Sequence, residues 1–230
     1  MLIHGLQKLT LLDFPTKVAA TVFFGGCNLR CPFCHNASLV THIENSGAQT
    51  DEQVLSFLQK RKGLLDGVCV TGGEPLLQPD LPDFLRRIKE MGFAVKLDTN
   101  GANPAALKAL VGEGLVDYVA MDIKNAPDRY AETVGIPTFD VTPIAESVAF
   151  LLSGAVDYEF RTTVVKEFHR VEDIKAAARF IGGAKRYFLQ NFEDSGDLIC
   201  PGLSAVSPET LAEMQKAATP YIQYIGVRGV

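Results

Sequence analysis

The sequence predicts an α/β fold: a partial (β/α)6 barrel, open on one side. Three observations predict it. Short runs rich in β-branched and aromatic residues alternate with helix-length segments. The helix-length segments carry capping residues or proline at their starts, and several carry glycine at their ends. Polar, glycine-rich tetrads follow the strand-like runs. Strands separated by helices run parallel through right-handed crossovers. Six such units fall short of the eight that close a full barrel, so the predicted barrel stays laterally open.

The elements follow in order. Residues 18–24 are β-branched and aromatic and read as a strand. Thr50 with Gln53 forms a capping box for a helix reaching about Lys62. Residues 68–71 form a short buried strand, and Asp80 caps a helix that runs to Met91 and stops at Gly92. Residues 93–99 are the next strand, and Asn103-Pro104 opens a helix with proline at its first position. A strand over 116–123 precedes a helix from Thr142-Pro143 to Gly154. Strand 158–165, helix 171–181 before Gly182-Gly183, strand 187–190 and a last helix from Ser207-Pro208 complete the pattern. No linker, repeat or low-complexity tract interrupts it. The expected organisation is one domain over 1–230, with an amino-terminal extension (1–17), a barrel core (18–192) and a carboxy-terminal extension (193–230).

Composition narrows the function. The 230 residues are 47% hydrophobic and 21% charged, an ordinary globular balance. A net charge of −5 without a basic run argues against a nucleic-acid surface. No apolar stretch has membrane-spanning length, and the first residues lack the pattern of a secretion signal. The expectation is a cytoplasmic protein with neither membrane nor nucleic acid as partner. Five cysteines, three of them within eight residues, make a poor disulfide framework and suit a reducing compartment.

Those three cysteines form the motif Cys27-x3-Cys31-x2-Cys34. Three thiolates on one loop can hold three irons of a cubane 4Fe–4S cluster and leave the fourth open to a non-protein ligand. A zinc site completed by His35, or unrelated thiols, are the alternatives; adjacent residues rarely serve one tetrahedral metal. Cys69, inside an apolar run, reads as a small core residue, and Cys200 as a turn residue. His4, His42 and His169 show no informative spacing and read as structural or solvent-facing.

The other strand ends supply polar groups. Thr71-Gly72-Gly73-Glu74 offers backbone that a ligand can approach closely and a carboxylate that can accept from an ammonium. Asp98 and Asn100 read either as turn formers or as ligand contacts. Asp122 and Lys124 end the next strand. Arg161 lies inside an apolar strand, so it must meet an anion: a ligand, or an internal partner such as Glu74 or Asp122.

Taken together these segments resemble the radical SAM superfamily. The opening Gly5-Leu6-Gln7-Lys8-Leu9-Thr10-Leu11-Leu12-Asp13-Phe14-Pro15, the run Cys31-Pro32-Phe33-Cys34-His35-Asn36, the stretch Tyr158-Glu159-Phe160-Arg161-Thr162-Thr163 and the late Val227-Arg228-Gly229 resemble the anaerobic ribonucleoside-triphosphate reductase activating proteins. The resemblance implies a TIM-like radical SAM core, with Cys27, Cys31 and Cys34 holding the cluster. The open iron would chelate S-adenosylmethionine (SAM), and reductive cleavage would yield a 5′-deoxyadenosyl radical. It places Phe33, Gly72, Gly73, Glu74, Asp98, Asn100, Asp122, Lys124 and Arg161 around SAM, with a monovalent cation at Asp98 and Asp122. It implies hydrogen abstraction from a glycine of a partner glycyl-radical enzyme, anaerobic ribonucleotide reductase by family name, with an electron from flavodoxin or ferredoxin. Where those activases carry a histidine after the sixth strand, this sequence has Phe192. Two other classes remain open: a small-molecule radical SAM enzyme, such as a deazapurine-type synthase or mutase, and a non-catalytic metal-binding module.

Overall fold

The computed structural model describes residues 1–43 and 45–229; Glu44, and Val230 at the tip of the expected carboxy-terminal extension, lie outside the described residues. Among the described residues, ten strands and eight α-helices follow one another. The strands are β1 (Leu2–Ile3), β2 (Gly5–Thr10), β3 (Ala19–Phe24), β4 (Gln49–Thr50), β5 (Gly67–Gly72), β6 (Ala94–Thr99), β7 (Tyr118–Asp122), β8 (Asp157–Val164), β9 (Tyr187–Asn191) and β10 (Ile225–Arg228). The helices are α1 (Ser38–Thr41), α2 (Asp51–Gln59), α3 (Leu81–Glu90), α4 (Pro104–Gly112), α5 (Tyr130–Thr133), α6 (Thr142–Leu152), α7 (Val171–Phe180) and α8 (Pro208–Ala218).

The chain divides into two compact units: residues 1–28, 38–99 and 103–119 form one, and 29–37, 100–102 and 120–230 the other. In the first, the strand order is β6-β5-β3-β2, with β3, β5 and β6 parallel and β2 antiparallel to β3. The short pair β1/β4 stands apart from this sheet. Helices α2 and α3 bury Val54, Leu55 and Leu58, and Phe84, Leu85 and Ile88, respectively. Phe84 meets Phe24 of β3 edge-on, with ring centroids 6.1 Å apart. In the second unit β8, β9 and β10 are consecutive parallel strands, and α7 presents the small residues Ala177 and Ala178 together with Ile174 as its buried face. Residues of β7 fall in both units, Tyr118 and Val119 in the first and Ala120 to Asp122 in the second. The α/β class with a mostly parallel sheet is therefore as expected.

Local chemistry explains the boundaries. Thr50 and Gln53 form the reciprocal capping box of α2, and Asn103 and Ser207 each accept a backbone N–H at the starts of α4 and α8. Asp80 departs from expectation: it occupies the N-cap position of α3, but its side chain makes no cap bond. Its ψ of 3° turns it away from the extended conformation that capping needs. The strand count also differs. Sequence pattern yields six strands; β2 and β10 extend the sheet beyond them as edge neighbours of β3 and β9.

Candidate functional site

In the first unit the ends of β3 and β5 are stitched together. Phe24 pairs in register with Gly72. Beyond them, Gly73 N donates to Phe24 O (2.8 Å) and Glu74 N to Gly26 O (2.7 Å). A Cβ on Gly73 would lie 1.9 Å from Gly26 O, and one on Gly72, whose φ is +119°, would lie 2.3 Å from Phe24 N and O. Glycine is thus required at both positions by backbone contact. Gly25 N donates to His4 Nδ1 (3.0 Å), Gln78 Nε2 to Gly25 O (2.9 Å), and Gly26 N to Leu39 O (2.8 Å). Cys27 leaves directly from this braced turn. His4, expected to be structural or exposed, is a support of the loop root, a role that its isolated place in the sequence did not signal.

Glu74 is 2% exposed, and its Oε1 accepts from Thr99 Oγ1 (2.8 Å) and Leu76 N (3.1 Å). Those bonds fix the carboxylate beside the end of β6. Asp98, on that strand, accepts from the Nζ of Lys96. Sequence reading missed Lys96; a lysine two residues before Asp98 lies on the same strand face, which is the signal that could have found it.

The second unit carries Cys31, Phe33 and Cys34. Cys34 N donates to Cys31 O (3.0 Å), so the two thiols sit on one tight turn. Phe33 is 3% exposed, packed against Phe168 and His169 with ring centroids 5.6 and 6.1 Å away. A strap over residues 192–200 laces the turn. Cys200 N donates to Pro32 O (2.9 Å), Ala37 N to Asp197 O (3.4 Å), and Ser195 Oγ to His35 O (3.4 Å). The His35 ring stacks on Phe192 (5.5 Å, 26°). Among the described residues, His35 Nε2 is the buried side-chain polar atom left without a hydrogen-bond partner. Burial, then the Lys124 charge, lower the His35 pKa against an opposing hydrogen bond to the Glu193 backbone carbonyl.

At the end of β7, Asp122 collects two cations. Lys124 Nζ donates to its Oδ2 (2.9 Å), while Arg161 Nε and Nη2 both lie 3.1 Å from its Oδ1. Burial works to raise the Asp122 carboxyl, but Lys124 and then Arg161 outweigh it and draw the pKa down to about 2. For Lys124, burial opposes the charge; Asp122 and then Cys31 overcome it and push the pKa well above the lysine range. The internal partner considered for Arg161 is thus present, and it is Asp122. His169 holds this corner from behind, with Nε2 2.8 Å from Lys124 O and Nδ1 accepting from Val165 N (3.0 Å). Asn100 Oδ1 accepts from Ala102 N (2.9 Å), the turn-forming role.

The donor set can be tested against the expected groups. All five cysteines are unbridged thiols; Cys69 is buried and Cys200 exposed. Among the described residues no three His, Cys, Asp or Glu side chains converge on one point. Cys31 and Cys34, on one turn, are of the thiolate type that Fe–S clusters take as ligands. In the first unit the buried Glu74 carboxylate is of the type that accepts from an ammonium; in the second, Lys124 and Arg161 are of the type that pairs with a carboxylate.

The sequence profile of the radical SAM superfamily matches residues 21–181. A Methanocaldococcus jannaschii protein, provisionally named a glycyl-radical enzyme activating enzyme, is 33% identical over 236 residues, covering 100% of this chain and 96% of its own length. A pyruvate formate-lyase-activating enzyme of Clostridium pasteurianum is 35% identical over 131 residues, 55% of this chain and 53% of that protein. Among solved structures, Streptococcus suis SuiB bound to the precursor peptide SuiA superposes with a TM-score of 0.71 at 15% identity, over 91% of this chain and 48% of SuiB; the likeness is one of fold.

Proposed function

The chain belongs to the radical SAM superfamily and to its glycyl-radical enzyme activating enzymes, and from that premise we propose that it installs the radical on anaerobic ribonucleotide reductase or a close glycyl-radical relative. Cys27, Cys31 and Cys34 hold the 4Fe–4S cluster. Gly72, Gly73 and Glu74 receive the amino end of SAM, Lys124 and Arg161 its carboxylate, and Phe33 and Asn100 the adenosine side; Asp98 and Asp122 anchor the basic groups. Once bound, the cluster and SAM supply one-electron reductive cleavage to methionine and a 5′-deoxyadenosyl radical, which removes a hydrogen atom from the partner's glycine Cα. The protein orients and shields; hydrogen-atom transfer requires no general base. Flavodoxin or ferredoxin delivers the electron, and the setting is the cytoplasm.

The observation that carries this reading is the pairing of the Cys31–Cys34 turn with the Asp122–Lys124–Arg161 group in one compact unit. The test is anaerobic. Reconstituted, reduced protein is given SAM with and without a candidate reductase, while 5′-deoxyadenosine and the glycyl EPR doublet are followed. A partner-dependent doublet is expected. Deoxyadenosine without a doublet from any glycyl-radical enzyme would move the assignment to a small-molecule substrate.

A further inference from the structure

We propose that Lys96 is a built-in cation of the cofactor site, and that this chain binds SAM without a monovalent metal ion. The inference rests on the functional reading above and goes beyond it. That reading brings with it an ion shared by Asp98 and Asp122; the residues present do not fit one.

Lys96 is 1% exposed in the middle of β6, directly opposite Cys69 of β5 in the parallel register. An ammonium taken out of water must be compensated by an opposite charge. The compensation is Asp98, two residues on and on the same strand face, whose Oδ1 accepts from Lys96 Nζ. The lysine side chain is 2% exposed and the aspartate 16%, so the ammonium reaches the carboxylate from the core side. A lysine ammonium is a compact, single positive charge. It supplies what a monovalent ion would supply: neutralisation of Asp98 as the carboxylate of SAM approaches. A metal ion added to the same carboxylate would stand against an ammonium already in place, at like-charge distances of a few ångströms.

Asp122 repeats the arrangement in the second unit. Lys124 and Arg161 already occupy both its oxygens. Each carboxylate expected to hold the ion is therefore satisfied by cationic side chains from its own unit. A purely structural Lys96 would predict a change in folding stability on substitution, with no link to the ions in the buffer.

The experiment uses full-length reconstituted protein in choline, sodium or potassium buffers of equal ionic strength. SAM affinity is read by equilibrium dialysis, and the SAM-induced change in the cluster EPR spectrum is read in parallel. Wild type should give the same values in all three buffers. Lys96→Ser, which removes the charge and leaves room, should bind SAM about tenfold or more weakly in choline, the scale of one lost charge-assisted interaction. Potassium should restore most of that loss. A wild type that needs potassium overturns the proposal. So does a Lys96→Ser variant that binds SAM equally well in every buffer, or equally poorly in every buffer. Should that variant not fold, by circular dichroism, the wild-type comparison decides alone. A wild type that takes up no cluster, or binds no SAM in any buffer, counts against the functional reading instead.

Discussion

At Gly73 a single methyl group would collide with backbone, 1.9 Å from Gly26 O, and neither partner of the contact is a flexible side chain. Gly73→Ala must push apart the β3 and β5 turns that carry Cys27 and Glu74. The expected outcome is a loss of about 2 kcal/mol or more in urea unfolding of the apoprotein, the scale of overpacking strain, together with loss of SAM binding. A well-folded variant with unchanged SAM affinity would show that the turns are not the cradle. His169 makes the second prediction at this scale. Burial lowers its pKa, and its Nδ1 accepts from Val165 N, so a proton there faces an N–H. The unfolded chain therefore takes up the proton first. Apoprotein stability should be full above about pH 6.5 and fall as pH drops through and below that value. His35 shifts in the same direction and adds to the slope. His169→Gln should reduce the stability difference between about pH 5.5 and 8 without abolishing it, since His35 remains. The contrast in legibility is physical. Cysteine spacing and Gly-Gly-Glu announce themselves locally. The work of His4, His169 and Lys96 depends on partners brought close only by folding.

Several interior helices were legible because they carry their own boundary chemistry: the Thr50–Gln53 box, Asn103 before Pro104 and Ser207 before Pro208 all cap the helices they foreshadow. The outer strands carry no such marks. Gly5-Leu6-Gln7-Lys8-Leu9-Thr10 mixes polar and apolar residues, and a register shift between Gln7 and Thr10 breaks its pairing with β3. Strand β10 is four residues long and is secured across β9 by long-range pairing: Arg228 makes two bonds to the buried Glu159 of β8 (2.9 and 3.0 Å) and lies 3.6 Å from the Phe188 ring centroid. The 192–200 strap was likewise unreadable, although it is bonded to the Cys31–Cys34 turn through Cys200 N and Pro32 O. Phe192 holds the His35 ring flat against it, and His35 directly follows Cys34. Phe192→Ala should leave the fold intact and release cluster iron to a chelator several-fold faster, as an unfixed ligand loop would. Phe192→Tyr should behave as wild type. Equal release rates in all three proteins would reduce the strap to a simple connection.

At the scale of the whole molecule, the chain threads its two units unevenly. Cys27, Cys31 and Cys34 all precede residue 35, yet residues 29–37, with Cys31 and Cys34, belong to the unit built mainly from 120–230. Their ordering is done from far along the chain. Arg30 N donates to Val134 O (2.9 Å), Cys200 N to Pro32 O (2.9 Å) and Ala37 N to Asp197 O (3.4 Å). Gly135 lies so close that a Cβ on it would stand 2.3 Å from Arg30 O. The motif is therefore complete in sequence long before it is complete in structure. A fragment ending at residue 119 contains Cys27, Cys31, Cys34, Glu74 and Asp98, but none of the partners that order the Cys31–Cys34 turn. Reconstituted anaerobically, it should retain far less iron and sulfide per chain than the full protein, and should show no SAM-dependent EPR change. Adding residues 120–230 as a separate polypeptide should restore part of the cluster content, because the ordering contacts are non-covalent. A fragment that holds a full cluster by itself would mean that cysteine spacing alone is enough, and that the long-range contacts serve only later steps.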